Sequence, residues 1–281
     1  MSILVAGSLH LDVVLRAPHL PQLDETVAGS SVAYVFGGKG GNQAVAAARM
    51  GASVAFAGRI GKDAFGATLR DVLVSADVDI RQVQSDPGAS GMSAAIVDDT
   101  GEYGAVIISE ANQRIEPELI EIPPATQLVI LQNEVPDAVN MAVARKARHA
   151  GASVWLNAAP ARPLSQEMLA AVDLFIVNRV EAEFYADAVP DARTLTTLGS
   201  KGARHGTVTY PGIAVDVVST HGAGDVFVGA LAAQVVRGIP VADAIPFAQA
   251  AAALHVSMPV TARAALTRDR VDQFVADHAS R

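Results

Sequence analysis

The sequence contains no cysteine among its 281 residues. This absence excludes a disulfide-linked scaffold and a thiol nucleophile, and it fits a reducing compartment. Basic residues are also scarce, since 21 Lys and Arg stand against 29 Asp and Glu and leave a net charge of −8. Because duplex nucleic acids are bound by clustered Lys and Arg, this composition argues against a nucleic-acid partner.

Long apolar runs are missing as well. No stretch of about 18 uncharged apolar residues is present to cross a bilayer, and the N-terminus lacks a basic segment followed by an apolar one. We therefore expect no membrane partner and a soluble, cytoplasmic protein. The 51% of hydrophobic residues is enough for a sizeable core.

A glycine-containing turn within residues 219–229 is the most informative feature that is present. Residues 213–218 are β-rich, and the Ala-rich stretch from about residue 225 to 237 predicts a helix, so the turn would lie at a helix N-terminus. There, free backbone N–H groups and the helix dipole favour an anion. The candidate N–H groups belong to Gly222, Ala223 and Gly224.

Asp225 directly follows this turn. A carboxylate beside an anion-binding turn is placed to take a proton from a hydroxyl that attacks the bound group, which is the arrangement that phosphoryl transfer needs. An ordinary glycine turn followed by a capping Asp has the same sequence pattern. The turn alone therefore leaves both interpretations open.

A second glycine loop, at residues 36–51, feeds another Ala-rich helix. It is not a Walker A loop, because Lys39 is followed by Gly40 and not by Ser or Thr. It is not a dinucleotide fingerprint either, because Gln43 stands where the third glycine belongs. Taken together, the two stretches closely resemble the paired signatures of the ribokinase (PfkB-type) family of sugar and nucleoside kinases.

The resemblance implies one domain over residues 1–281, with a doubly wound, mostly parallel α/β sheet flanked by helices. It also implies a small β-sheet lid, built from segments at about 12–36 and 91–108, that covers the sugar and often forms a dimer surface. The residue patterns agree, since strand and helix alternate through much of the chain and residues 92–97 and 103–108 flank a turn as a hairpin. We expect a homodimer through the lid.

The site residues implied by the resemblance fall into groups. Asp225 would be the general base, and Gly222, Ala223 and Gly224 would stabilise the developing charge. The acceptor-binding residues would be His10, Asp12, Gly38, Lys39, Asn42 and Glu134, together with Asp225. The nucleotide-binding residues would be Asn178, Thr197, Gly199, Ser200, Gly202 and Gly224.

Magnesium would accompany ATP, the co-substrate, and the resemblance places Asn178 and Glu181 near the metal, acting through water. This sparse arrangement is chemically reasonable because magnesium keeps several waters. As a pattern without the family, Glu three residues after Asn equally describes a capped helix start.

Some positions depart from the family pattern. Ser219 stands where an Asp usually helps to bind an activating monovalent cation, and residues 259–264 differ from the loop that completes that site. A monovalent cation is therefore doubtful, little activation by potassium is expected, and Arg263 is a candidate for a fixed positive charge in its place. The segments near 184–196 and 202–211 are short, so a helix that covers the sheet there is expected to be reduced or missing, and the shape of the ATP pocket stays open.

The leading interpretation is ATP-dependent phosphorylation of a primary hydroxyl, with ribose as the acceptor and ribose 5-phosphate as the product. His10 stands where the family commonly has Asn, which keeps open another acceptor: a nucleoside, pseudouridine, fructose or a sugar acid. A different class is a sugar- or nucleotide-binding regulator with weak turnover. Retention of Asp225 argues against it, since a pure binder needs no base.

Overall fold

The computed structural model describes residues 2–279 as strands, helices and connecting loops. The strands are β1 (Ile3–Ala6), β2 (His10–Arg16), β3 (Ser31–Gly37), β4 (Val54–Gly61), β5 (Asp79–Asp86), β6 (Met92–Val97), β7 (Tyr103–Ile108), β8 (Leu128–Gln132), β9 (Ser153–Asn157), β10 (Leu174–Asn178), β11 (Thr194–Thr197), β12 (Ala203–His205) and β13 (Val208–Tyr210). The α-helices are α1 (Lys39–Arg49), α2 (Ala64–Ser75), α3 (Asp137–His149), α4 (Gln166–Ala171), α5 (Arg179–Tyr185), α6 (Ala223–Val235), α7 (Val241–Ser257) and α8 (Arg268–Ala279).

The large sheet has nine strands in the order β13-β12-β11-β10-β9-β8-β1-β4-β5. The seven neighbouring strands from β11 through β10, β9, β8, β1 and β4 to β5 are parallel to one another. In this sheet, β12 pairs antiparallel with both β11 and β13. Every residue of β1 and β8 is buried, because a central parallel strand has both faces covered by helices. This confirms the predicted doubly wound α/β fold.

Two hydrophobic layers cover the sheet. One face packs against α1, α2, α6, α7 and α8, and the other packs against α3, α4 and α5. The direction of winding reverses at β1, since β4 and β5 extend from one side of it and β8 lies on the other. Such a reversal opens a crevice at the carboxyl ends of the strands, which is where open α/β sheets bind ligands.

The lid is a separate four-stranded sheet in the order β3-β2-β6-β7. The predicted hairpin is confirmed, because β6 and β7 span the expected residues and pair antiparallel. The first lid segment differs from the prediction: β2 already begins at His10, and residues 17–30 form no strand. β2 also pairs in parallel with β6, which joins the two lid segments.

The prediction of a β-rich segment before the glycine turn at Gly222–Gly224 is wrong, because residues 211–220 form an irregular loop without a strand. The backbone N–H groups of Val218 and Ser219 both donate to the carbonyl of Val256 near the end of α7. An extended backbone that bonds to a helix end cannot also join a sheet ladder. Helix α6 then begins at Ala223, two residues before the expected start.

The part of the large sheet near residues 184–196 and 202–211 has little helix packed beside it. Between α5 and β11 the chain forms a single 3-10 turn, Asp191–Arg193, and the next segment is the β12–β13 hairpin. This matches the expectation that a helix is reduced or missing there. In the described part of the chain no helix combines the length and the apolar character that crossing a membrane requires.

Candidate active site

The candidate site lies where the N-termini of α1 and α6 meet the lid. Asp225 is the third residue of α6 and only 8% exposed. Its Oδ1 accepts a hydrogen bond from Gln43 Nε2 at 2.9 Å, and its Oδ2 accepts one from Asn42 Nδ2 at 3.1 Å. Two amides of α1 therefore hold the carboxylate in one orientation.

Gly229 explains how α6 comes this close to α1. A Cβ at Gly229 would lie 2.6 Å from Ala46 Cβ and 2.7 Å from both Ala47 N and Gln43 O. Only glycine permits such a contact, and Gly229 follows Asp225 by one helical turn. The glycine therefore sets the distance across which Asn42 and Gln43 reach the carboxylate.

The electrostatics of this cluster favour a proton acceptor. Burial raises the pKa of Asp225, and the charge of Lys39 and the two amide hydrogen bonds only partly oppose it. Burial disfavours the charge of Lys39, but the carboxylates of Asp225, Glu134 and Glu181 outweigh it and raise the pKa of Lys39. A carboxylate of raised pKa is a stronger base once it is deprotonated.

Gln43 is a functional candidate that sequence reasoning missed. Its Nε2 also donates to Asn157 Oδ1 at 2.9 Å, and its Oε1 accepts from Gln132 Nε2 at 2.9 Å. The network thus runs from the ends of β8 and β9 through α1 to Asp225. The sequence feature that could have identified Gln43 is its polar side chain in an otherwise Ala-rich helix.

The α6 N-terminus matches the expected anion site only in part. Gly222 is the N-cap residue with φ 77°, a left-handed conformation that favours glycine. The N–H groups of Gly222 and Gly224 have no hydrogen-bond partner among the described residues. Ala223 corrects the prediction, because its N–H donates to Thr220 O at 3.2 Å and is not free.

The acceptor side of the site gathers the predicted carboxylates. Glu134 Oε2 accepts from Ser8 Oγ at 2.5 Å and from Lys39 N at 2.8 Å. Asp12 Oδ1 accepts from Ser93 Oγ at 2.5 Å across the lid sheet. The carboxylates are thus fixed by the loop after β1, by α1 and by the lid before any ligand binds.

His10 and Gly38 line the same side. His10 is 5% exposed, and its Nε2 has no partner among the described residues. Burial lowers the pKa of His10 against the opposing charges of Glu134 and Asp12. Gly38 has φ 84°, and a Cβ there would lie 2.8 Å from His10 N, so the loop passes close to the lid because residue 38 is glycine.

His221 is a second residue that the sequence did not single out for the acceptor. Its Nε2 lies 3.7 Å from Asp12 Oδ2, so the ring reaches from the turn before α6 to the lid. The side chain of His221 therefore brings a polar group next to the acceptor carboxylate.

Asn178 and Glu181 form a capping box at the start of α5. Asn178 Oδ1 accepts from Glu181 N at 2.9 Å, and Glu181 Oε2 accepts from Asn178 N at 2.7 Å. Burial raises the pKa of Glu181. No group of three metal-ligating acids or histidines occurs within the described chain, so these residues fit magnesium only as an ion that brings its own phosphate and water ligands.

The predicted nucleotide residues follow neighbouring strands. Thr197 pairs with Asn178 in the β10–β11 register, and a 3-10 turn, Gly199–Lys201, comes next. A Cβ at Gly199 would meet nothing within 4 Å, whereas one at Gly202 would lie 2.0 Å from Tyr210 O. Gly199 therefore borders open space, whereas Gly202 is needed because the end of β13 packs directly against its backbone.

Gln249 holds this hairpin to α7. Its Nε2 donates to Tyr210 O at 3.1 Å and to Pro211 O at 3.2 Å. Ser200 lies exposed at the tip of the preceding turn. Five of the nucleotide candidates thus follow the neighbouring strands β10 and β11, whereas Gly224 lies at the N-terminus of α6 beside Asp225.

Comparison with known proteins agrees with this arrangement. The family model described as pfkB family carbohydrate kinase matches residues 1–267. The chain is 36% identical to the ribokinase of Lactococcus lactis over 270 residues, covering 90% of this chain and 89% of that protein. It is 32% identical to the ribokinase of Bacillus subtilis over 290 residues, covering 98% and 99%.

A solved structure is also closely similar. Arabidopsis thaliana ribokinase, complexed with ribose and ATP, superposes with a TM-score of 0.87 at 27% identity. The match covers 98% of each chain. The similarity therefore extends over the large sheet and the lid together.

Proposed function

The chain belongs to the pfkB family of carbohydrate kinases, and from this premise we propose that it transfers the γ-phosphoryl group of ATP to the primary hydroxyl of ribose. The enzyme is an ATP-dependent sugar kinase. The observation that carries the proposal is the buried carboxylate of Asp225, held by two amides at a helix N-terminus with unpartnered N–H groups. The ribokinase names of its relatives support ribose as the acceptor.

The acceptor lies between the lid and the start of α1 in this account. Asp12 and Glu134 accept hydrogen bonds from ring hydroxyls, and the unpartnered Nε2 of His10 contacts another. Gly38, Lys39 and Asn42 complete the acceptor site at the start of α1. This placement brings the primary hydroxyl in line with the phosphoryl group, and positioning provides most of the rate gain in such reactions.

Asp225 then takes the hydroxyl proton as the new oxygen–phosphorus bond forms. The bond between the γ-phosphorus and its bridging oxygen breaks, and ADP leaves. The N–H groups of Gly222 and Gly224 and the ammonium of Lys39 stabilise the negative charge that develops. Ala223 contributes through its backbone only when its bond to Thr220 opens.

The nucleotide lies along the group formed by Asn178, Thr197, Gly199, Ser200 and Gly202, and its phosphates reach Gly224 at the N-terminus of α6. When bound, magnesium neutralises part of the phosphate charge. Asn178 and Glu181 would hold that ion through water, because their own mutual hydrogen bonds leave few free ligand atoms.

The finer features of the assembly are part of this proposal. One domain spans the chain, and two copies pair through the lid, which exposes large apolar side chains on both of its faces, namely Tyr34, Tyr103, Val106 and Ile107. Ile107→Glu is expected to turn the dimer into a monomer in light scattering, and a wild-type monomer would contradict the pairing.

The cytoplasmic location stays a prediction.

ADP release with magnesium and ATP tests the reaction across ribose, deoxyribose, fructose, adenosine, cytidine, uridine and pseudouridine. Turnover on ribose that collapses in Asp225→Asn supports the proposal. Asp243→Asn is the matched control, because Asp243 is also the third residue of its helix but is exposed. Ligand-induced shifts in melting temperature without turnover on any acceptor would identify a binding protein instead.

A further inference from the structure

A buried arginine, Arg263, helps to hold the turn that precedes α6. Arg263 Nη2 donates to Ser219 O at 2.7 Å, and Arg263 Nη1 donates to His221 O at 3.1 Å. The side chain is 8% exposed. One guanidinium therefore binds two carbonyls that lie one to three residues before Gly222, the N-cap of α6.

The same arginine connects this turn to α1. Arg263 lies in a 3-10 segment, Val260–Ala265, and its backbone carbonyl accepts from Arg49 Nη1 at 3.2 Å near the end of α1. The other end of α1 carries Lys39 and Asn42. Arg263 thus links the two helices whose N-termini form the site.

The charge of Arg263 is balanced by carbonyl dipoles. It forms no ion pair with any carboxylate in residues 2–279. His221 O also accepts a hydrogen bond from His255 Nε2 at 2.8 Å, so this carbonyl oxygen already has two hydrogen-bond donors. Backbone carbonyls are also among the oxygen ligands that hard metal cations use.

These residues do not fit an exchangeable monovalent cation. Such an ion needs several free oxygen ligands, whereas Ser219 offers no carboxylate and the carbonyls of Ser219 and His221 are already occupied by donors. The family resemblance places a cation at this turn, and the structure places a guanidinium there instead.

We propose that Arg263 is a built-in cation that positions the α6 N-terminus, so that the kinase works without an activating monovalent ion. This inference rests on the proposed kinase reaction. Arg263 touches no reacting atom in this account and acts through the turn that carries Gly222 and Gly224.

A cavity makes the idea testable by chemical rescue. It has a volume of about 390 Å³ and is lined by polar and charged residues and by apolar side chains, the former being Asn42, Arg49, His221, His255, Thr261 and Arg263. Removing the Arg263 side chain would open the two carbonyls to this space. A small cation from solution could then enter and take over their hydrogen bonds or their coordination.

The first measurement is the dependence of wild-type kcat on potassium, sodium and tetramethylammonium at equal ionic strength. We expect the three rates to agree within about twofold. Arg263→Gln keeps an N–H donor but removes the charge, and we expect its kcat to fall at least about tenfold. Arg263→Lys keeps the charge and should lose less, and Arg270→Ala, an exposed change, should lose nothing.

The second measurement is thermal melting, which needs no turnover. Potassium or millimolar guanidinium should raise the melting temperature of Arg263→Ala, or of Arg263→Gln if the alanine variant does not fold, and leave the wild type unchanged. Many-fold activation of the wild type by potassium would overturn the proposal, as would wild-type kcat in Arg263→Gln. Since melting is read without a substrate, a failed kinase assay and a failed cation replacement give different results.

Discussion

Replacing Gly229 with alanine should push α6 away from α1 and displace Asp225. The added Cβ would lie 2.6 Å from Ala46 Cβ and 2.7 Å from Ala47 N and Gln43 O. Two of these atoms belong to the backbone of α1, so no side-chain rotation relieves the contact. Because carbon atoms pack at about 3.5–4.0 Å, the helices must separate by roughly 1 Å.

The size of the effect follows from two opposing contributions to stability. Alanine favours a helix over glycine by up to about 1 kcal/mol, whereas overpacking a core typically costs about 1–3 kcal/mol. We expect a net loss of about 1–2 kcal/mol in the free energy of unfolding. Catalysis should suffer more, because a misplacement of about 1 Å at a reacting centre costs on the order of a hundredfold in rate.

Steady-state ADP release with ribose and a melting curve measure the two effects on Gly229→Ala. Gly238→Ala is the matched control, because Gly238 follows the same helix with φ 89° and a Cβ there meets nothing within 4 Å. It should lose stability through backbone strain of about 1–2 kcal/mol and keep its kcat. Wild-type kcat in Gly229→Ala would refute the argument that this helix contact positions Asp225.

Four further predictions concern groups around the same turn. Asp225→Asn should lower kcat by about a hundredfold or more while ribose still shifts the melting temperature, because it removes the base and keeps the shape. Since burial raises the pKa of Asp225, wild-type kcat should fall with decreasing pH through a pKa above the usual Asp range, and a limb within that range would contradict this. Gly224→Ala should raise the KM for ATP without lowering the melting temperature, because its Cβ enters open space at the anion site, and an unchanged KM would argue against phosphate binding there. Burial lowers the pKa of His255 to about 4 from its usual 6.5, so the unfolded chain takes up this proton first. The stabilising contribution is complete above pH 6.5 and is lost as the pH falls toward 4. The free energy of unfolding should therefore drop by about 2 kcal/mol between about pH 7 and pH 5 because of this group. Chemical denaturation should show a smaller drop in His255→Gln, and equal drops in both proteins would exclude His255 as the cause.

Local patterns predicted those elements whose neighbours are close in sequence. The lid hairpin has the expected bounds because β-branched and small residues alternate around a single turn. The Ala-rich stretch at about 225–237 predicts helix α6 to within two residues at each end. β5 was missed because it is an edge strand of mostly polar and charged residues, Asp79–Asp86, which resembles a surface loop.

The site was predicted less completely, because its support comes from distant parts of the chain. Asp225 stands out beside its glycines, but its partner Gln43 lies 182 positions away. Gln132 and Asn157 reach the same network from two different strands. Spacing cannot reveal such contacts, since they exist only after the sheet and the helices have packed.

Asn178 and Glu181 show that two sequence interpretations can describe the same atoms. The spacing was equally typical of a capped helix and of a magnesium-linked motif, and the structure shows the cap. The cap uses Glu181 Oε2 and fixes the carboxylate, which is 7% exposed, while the charge of Lys39 opposes the rise in its pKa. A carboxylate that is already held in place loses little entropy when it orients a metal-bound water. The capping box therefore does not compete with the proposed role but prepares Glu181 for it.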